Sequence, residues 1–194
     1  MVRFSDDGAA PLAPVIPMFG GVPRDGYDAC GAIEREIAER NLTKRLRMRQ
    51  LSVGEARAVV AERDLDSDAV EAVLERYRRL GYLDDARLAE QLIHSGAVRK
   101  GQGRRVLAQT LAQRGIPRDV ADAALAGLPD DDAERALRYA RGKAAGMTGI
   151  DRETALRRLA GQLARRGYPS AVALSAAGLA LEEVRGERRF VHFE

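Results

Sequence analysis

GYLDDARLAEQLIHSGAVRKGQGRRVLAQTLAQRGIP, residues 81–117, decides how the rest of the chain is read. Its first residues set a helix stop against a helix start. Gly81 suits the left-handed position that ends a helix, and Asp84 and Asp85 stand where a new helix favours anions near its N-terminus. Leu88 and Leu92 follow at helical spacing, with Val98 continuing the stripe. A glycine-spaced basic turn, Arg99-Lys100-Gly101-Gln102-Gly103-Arg104-Arg105, leads into a second helix anchored by Leu107 and Leu111. Gly115 stops that helix, and Pro117 sits where a third can begin with a residue that lacks an N–H. Between Gln91 and Arg118 there is no acidic residue, although acids are frequent elsewhere.

The end of that second helix recurs. Glu62-Arg63-Asp64-Leu65-Asp66, Gln113-Arg114-Gly115-Ile116-Pro117 and Arg165-Arg166-Gly167-Tyr168-Pro169 align with spacings of 51 residues (65 to 116) and 52 residues (116 to 168). The same offsets superpose Ala56, Leu107 and Leu159, and then Val60, Leu111 and Leu163, the inner apolar positions of three equivalent helices. Self-similarity at a fixed period marks a repeat architecture. The expected fold is therefore all-α, an elongated solenoid of three tandem three-helix repeats over residues 27–83, 84–129 and 130–184. Residues 1–26 carry four prolines without periodicity and read as a disordered arm, with Val15 to Phe19 as its one apolar, partner-binding candidate. Residues 185–194 read as a tail without helical pattern.

The remaining helices follow the same logic. Ile33 and Ile37 give the first helix an apolar stripe, and a basic run from Arg40 to Arg49 follows it. Ser52 and Glu55 form a capping-box pattern ahead of Ala56 and Val60. Val70, Val73, Leu74 and Tyr77 supply the buried side of a third helix. With 45% hydrophobic residues, chiefly Ala and Leu, no Trp and 5% aromatics, the composition favours thin helices in close contact over a β-sandwich. Cys30 is alone, which excludes an intrachain disulfide and a cysteine-rich metal site. No apolar run approaches the ~20 residues of a membrane span, and the early Asp6 and Asp7 do not suit a signal peptide. A cytoplasmic, monomeric protein is expected.

Gly81-Tyr82-Leu83-Asp84-Asp85, the Arg-Lys-Gly-Gln-Gly turn and the ending Leu107-x3-Leu111-x3-Gly115-Ile116-Pro117 resemble the RecX regulatory family. The resemblance covers about residues 30–184 and is strongest in the middle repeat. It is weakest in the first, where Leu51-Ser52-Val53-Gly54 departs from the usual pattern and Asp64 replaces the glycine found at 115 and 167. It implies a curved stack of three three-helix repeats that binds the RecA recombinase filament. It also implies a non-enzymatic action, steric and electrostatic, on ATP turnover, strand exchange and filament growth.

The residues themselves offer no catalytic constellation and call for no cofactor or metal. His94 and His192 have no companion ligands, and His94 reads as a partly buried helix residue. Gly101-x-Gly103 lacks the strand before it and the Gly-Lys-Ser/Thr ending of a phosphate loop. Charge distribution is more informative. A second acid-free window runs from Thr154 to Leu181, on the equivalent element of the third repeat. Arg99, Lys100, Arg104, Arg105 and Gln109 in repeat two, with Arg157, Arg158, Arg165 and Arg166 in repeat three, are the candidate contacts to RecA or DNA. A basic face recruits polyanions without reading sequence, so any contact to single- or double-stranded DNA is expected to be weak and sequence-independent. Two other readings fit a helical basic chain: a helix-turn-helix-like transcription regulator, and an adaptor solenoid without nucleic-acid contact.

Overall fold

Caps and glycine stops cut the chain into helices, and the computed structural model describes them over residues 24–147 and 149–191, with side chains between 31 and 186. The first unit comprises α1 (Arg24–Met48), α2 (Val53–Val60) and α3 (Ser67–Arg79). The second holds α4 (Asp85–His94), α5 (Arg104–Gln113) and α6 (Arg118–Ala126). The third holds α7 (Asp132–Ala144), α8 (Arg152–Arg165) and α9 (Ser170–Val191). No strand occurs among the described residues, and no helix there is long and apolar enough to cross a membrane.

Local chemistry accounts for the boundaries. Ser52 accepts from the Glu55 N–H while the Glu55 carboxylate accepts from the Ser52 N–H, closing a capping box at the start of α2. Asp66 and Asp84 cap α3 and α4 by accepting from the amides of Ala69 and Arg87. Asp151 does the same for α8, at the amides of Glu153 and Thr154. A π-helical turn, Ser95–Arg99, carries the end of α4 into the basic turn.

Each unit closes its own core. Ala38, Leu42, Ala56, Val60, Val73 and Leu74 centre the first, and Leu88, Ile93, Leu107, Leu111 and Ile116 the second. In the third, alanines at 136, 140, 144, 173, 177 and 180 let helices approach closely around Leu159 and Leu163. The close packing of thin helices expected from composition is literal there.

Between units the contact passes through the ends of the middle helices. The amide of Gly103, at the start of α5, donates to the Arg166 carbonyl at the end of α8 (2.9 Å). A Cβ on Gly103 would lie 2.7 Å from the Gly167 carbonyl oxygen, and one on Gly167 would lie 2.6 Å from the Val106 amide nitrogen. Gly167 also has φ +93°, which a side chain disfavours. The first joint uses the same positions: the Ser52 hydroxyl donates to the Arg114 carbonyl, and Gly54 stands against Gly115. The unusual Leu51-Ser52-Val53-Gly54 segment is thus a joint surface, with Ser52 fully buried.

Several expectations are corrected. α1 begins at Arg24, before Tyr27, and its buried positions are Ala38 and Leu42; Ile33 is 59% exposed. The stripe starts one position later than its isoleucines indicate, because Ala38 and Leu42 are the α1 side chains fully buried against α2 and α3, with Leu46 packed beside them. Val98 is 65% exposed, since the π turn rotates it off the face carrying Ile93 and Ala97. His94 is exposed, with Ile93 taking the inward position beside it. α9 continues to Val191, so a helix occupies most of the expected tail. The arm, Val15 to Phe19 included, lies outside the described residues up to position 23, as does His192.

Candidate polyanion cleft between the second and third units

Two side chains crossing the second joint create a recess. Arg166, at the C-cap of α8, donates to the Lys100 carbonyl and lays its guanidinium 3.9 Å from the centre of the Tyr139 ring. Tyr168 donates from its hydroxyl to the Gly101 carbonyl (3.1 Å), while Tyr139 donates to Gln162 (3.3 Å). These bonds hold the Arg99–Gly103 turn against α7 and α8. The cleft left between them measures about 760 Å³.

Its lining is cationic and, among the described residues, contains no carboxylate. Arg99 and Lys100 come from the turn, Arg138 and Lys143 from α7, and Arg165 and Arg166 from α8. Arg135 also borders it but is 7% exposed and committed to Asp131 and Asp132. Arg166 is committed to the joint. The other five are exposed, and among the described residues none forms an ion pair. Five uncompensated cations around one concavity focus a positive potential that pairwise surface contacts do not produce. Exposed Val98 and the Tyr139 ring add apolar surface to this rim. The arrangement suits phosphates or carboxylates on an extended partner, and nothing in it polarises or cleaves a bond.

A second cleft, about 650 Å³, occupies the corresponding place at the first joint. Arg114, equivalent to Arg166, crosses that joint to Glu55 (2.8 and 3.0 Å) and to the Gln50 carbonyl (2.8 Å). Glu90 lines this cleft, and Arg49 pairs with Glu55 at 3.0 Å. Here the cations are largely balanced. Burial pushes the Glu55 carboxyl up, but bonds from Arg114, the Ser52 amide and Arg49 outweigh it and hold the group below the ordinary range. Arg99 lines both recesses and makes them neighbours along one face.

The structure divides the nine sequence-derived candidates. It brings Arg99, Lys100, Arg165 and Arg166 together. Arg105 and Gln109 are exposed on the outer side of α5, and Arg157 and Arg158 on α8, away from the cleft; Arg157 lies 3.8 Å from Glu153. Arg104 takes another position altogether. Its guanidinium donates to the carbonyls of Leu125 (2.8 Å) and Leu128 (2.7 Å), satisfying the exposed end of α6. It is a tie within the second unit, so it leaves the candidate interface. Arg138, Lys143 and Tyr139 are missing from the sequence reading. A signal for them exists, since residues 135–150 form a third acid-free window, between Glu134 and Asp151.

The chain is similar in sequence and fold to known proteins. The family model described as "RecX, second three-helix domain" matches residues 84–125. The regulatory protein RecX of Thermobifida fusca is 36% identical over 172 residues, covering 88% of this chain and 85% of that protein. Its counterpart in Mycolicibacterium vanbaalenii is 35% identical over 167 residues, covering 82% and 88%. The crystal structure of RecX from Lactobacillus salivarius superposes with a TM-score of 0.66 at 15% identity, covering 79% of this chain and 98% of that one. At that identity the superposition shows the shared fold of three-helix domains.

Proposed function

The chain belongs to the RecX family of regulatory proteins, and on that premise we propose that it binds the RecA–DNA filament and restrains RecA through its basic cleft. It is a non-enzymatic regulator. The observation that carries the assignment of the contact is the set of five exposed cations between the second and third units, without ion-pair partners among the described residues. A filament presents DNA phosphates and protein carboxylates along a helical groove, and a row of three units lies along such a groove better than a sphere does. Contact through several cations adds affinity without sequence readout and weakens with salt. Bridging neighbouring RecA subunits then opposes the rearrangements that ATP turnover and filament growth require.

A RecA ATPase assay on single-stranded DNA, with this protein added below the RecA concentration, tests the reading. Turnover falls, and falls less as salt is raised. Unchanged turnover at low salt, with the protein folded by circular dichroism, contradicts it.

A further inference from the structure

We propose that a groove on the first unit, between α1 and the end of α3, docks a short protein segment carrying one apolar side chain flanked by carboxylates. This surface is separate from the basic cleft and uses other residues. Tyr77 forms its floor. The Tyr77 hydroxyl is already satisfied, shared with the Thr43 hydroxyl at 2.7 Å and donated to the Glu39 carbonyl at 3.1 Å, so the ring presents only apolar surface. Leu46 and Arg47 line one side from α1, and Arg76 and Leu80 the other from α3. Tyr82 stands at the end, its ring centre 5.9 Å from that of Tyr77 at 50°.

Size and exposure narrow the occupant. The groove measures about 260 Å³, below the ~300–1,000 Å³ of small-molecule sites, which fits one or two side chains. Leu80 is 58% exposed and Tyr82 61%. Single exposed hydrophobics are ordinary. Two of them bordering one concavity with an apolar floor make the kind of pocket in which a partner's anchor residue is desolvated.

Charge decides the flanks. Among the described residues, no carboxylate lines the groove. Arg76 shares Glu39 at 2.9 Å, while Arg47 is exposed and has no carboxylate partner among the described residues. A guanidinium beside an apolar slot favours a peptide that places an Asp or Glu next to its anchor and disfavours a basic one.

The test is selection of a random dodecapeptide library on the full chain, followed by anisotropy titration of the enriched peptides. Convergence on an aliphatic or aromatic residue beside Asp or Glu is expected. The Leu80→Ser/Tyr82→Ser variant then binds about tenfold more weakly, and Arg47→Glu also weakens binding. Arg138→Glu/Arg165→Glu leaves it unchanged, which separates this proposal from the filament contact. Absence of a convergent sequence, or equal binding to wild type and Leu80→Ser/Tyr82→Ser, overturns it. So does an oligo(dT) strand that displaces the peptides and itself loses binding in Leu80→Ser/Tyr82→Ser, because the groove is then a nucleic-acid site.

Discussion

Arg104 and Arg105 are adjacent in sequence and have opposite roles. Arg104 ties the start of α5 to the carbonyl end of α6, and Arg105 points to solvent. Arg104→Gln removes the bonds to Leu125 and Leu128 and leaves those carbonyls poorly paired, so it lowers stability by about 1–3 kcal/mol. Arg105→Gln stays within about 0.5 kcal/mol; equal thermal midpoints for the two would contradict these roles. A second pair tests the rotation of α5. Leu111→Ala empties a fully buried site and costs about 2–5 kcal/mol, while Gln109→Ala on the opposite face changes little. Leu107, Leu111, Val60 and Leu163 were legible as core because helical period and repeat offset agree on them. Arg104 was not, because its partners lie 21 to 25 residues downstream and consist of backbone carbonyls, which sequence does not distinguish.

The two joints are built on equivalent positions yet differ in chemistry. At the second, Gly103 and Gly167 meet backbone to backbone, and Gly103→Ala forces them apart. Protection of the amide at position 103, which donates to the Arg166 carbonyl, should then be lost while the core amides of the two units stay protected, as amide exchange would reveal. Unaltered protection in Gly103→Ala would mean that the joint absorbs a methyl group, against the contacts seen. The first joint has an ionic element. Because Glu55 titrates below its ordinary range, its contribution is fully present above that range and is lost as pH falls through the lowered value. Asp85, which accepts from the Val53 amide across the same joint, has its carboxyl raised by burial, so protonation relieves a cost there and partly offsets the loss. The net expectation is loosening of the first joint below about pH 4, seen as a fall in Ser52–Glu55 amide protection factors with Gly103 unaffected. The glycines at 115 and 167 were visible in the sequence as helix stops. Their second use, close contact across a joint, required knowing which helix ends meet.

Across the molecule, three cores in a row and joints at the middle helices imply length rather than roundness. Scattering from residues 24–191 should give a radius of gyration above the ~15 Å of a compact chain of that size; a value at the compact figure would contradict the row. At the two ends of the row, Asp64 stands where Gly115 and Gly167 make their joints, Arg63 lies 3.8 Å from Glu34, and Asp151 caps α8. The repeat and its offsets were readable because the apolar pattern recurs in the chain. The cleft was only half readable, since Arg99 and Lys100 meet Arg138, Lys143 and Arg165 through a joint that no single unit encodes. Charge reversals inside and outside that joint-built cleft separate its role from that of the outer basic faces. RecA ATPase inhibition on single-stranded DNA is measured at two salt concentrations for two folded triple reversals. One carries Glu at 99, 138 and 165 in the cleft; the other carries Glu at 105, 157 and 158 on the outer faces. The cleft reversal is expected to abolish most of the inhibition and its salt dependence, while the outer reversal retains both. Equal loss in the two variants, or a larger loss in the outer one, would contradict it.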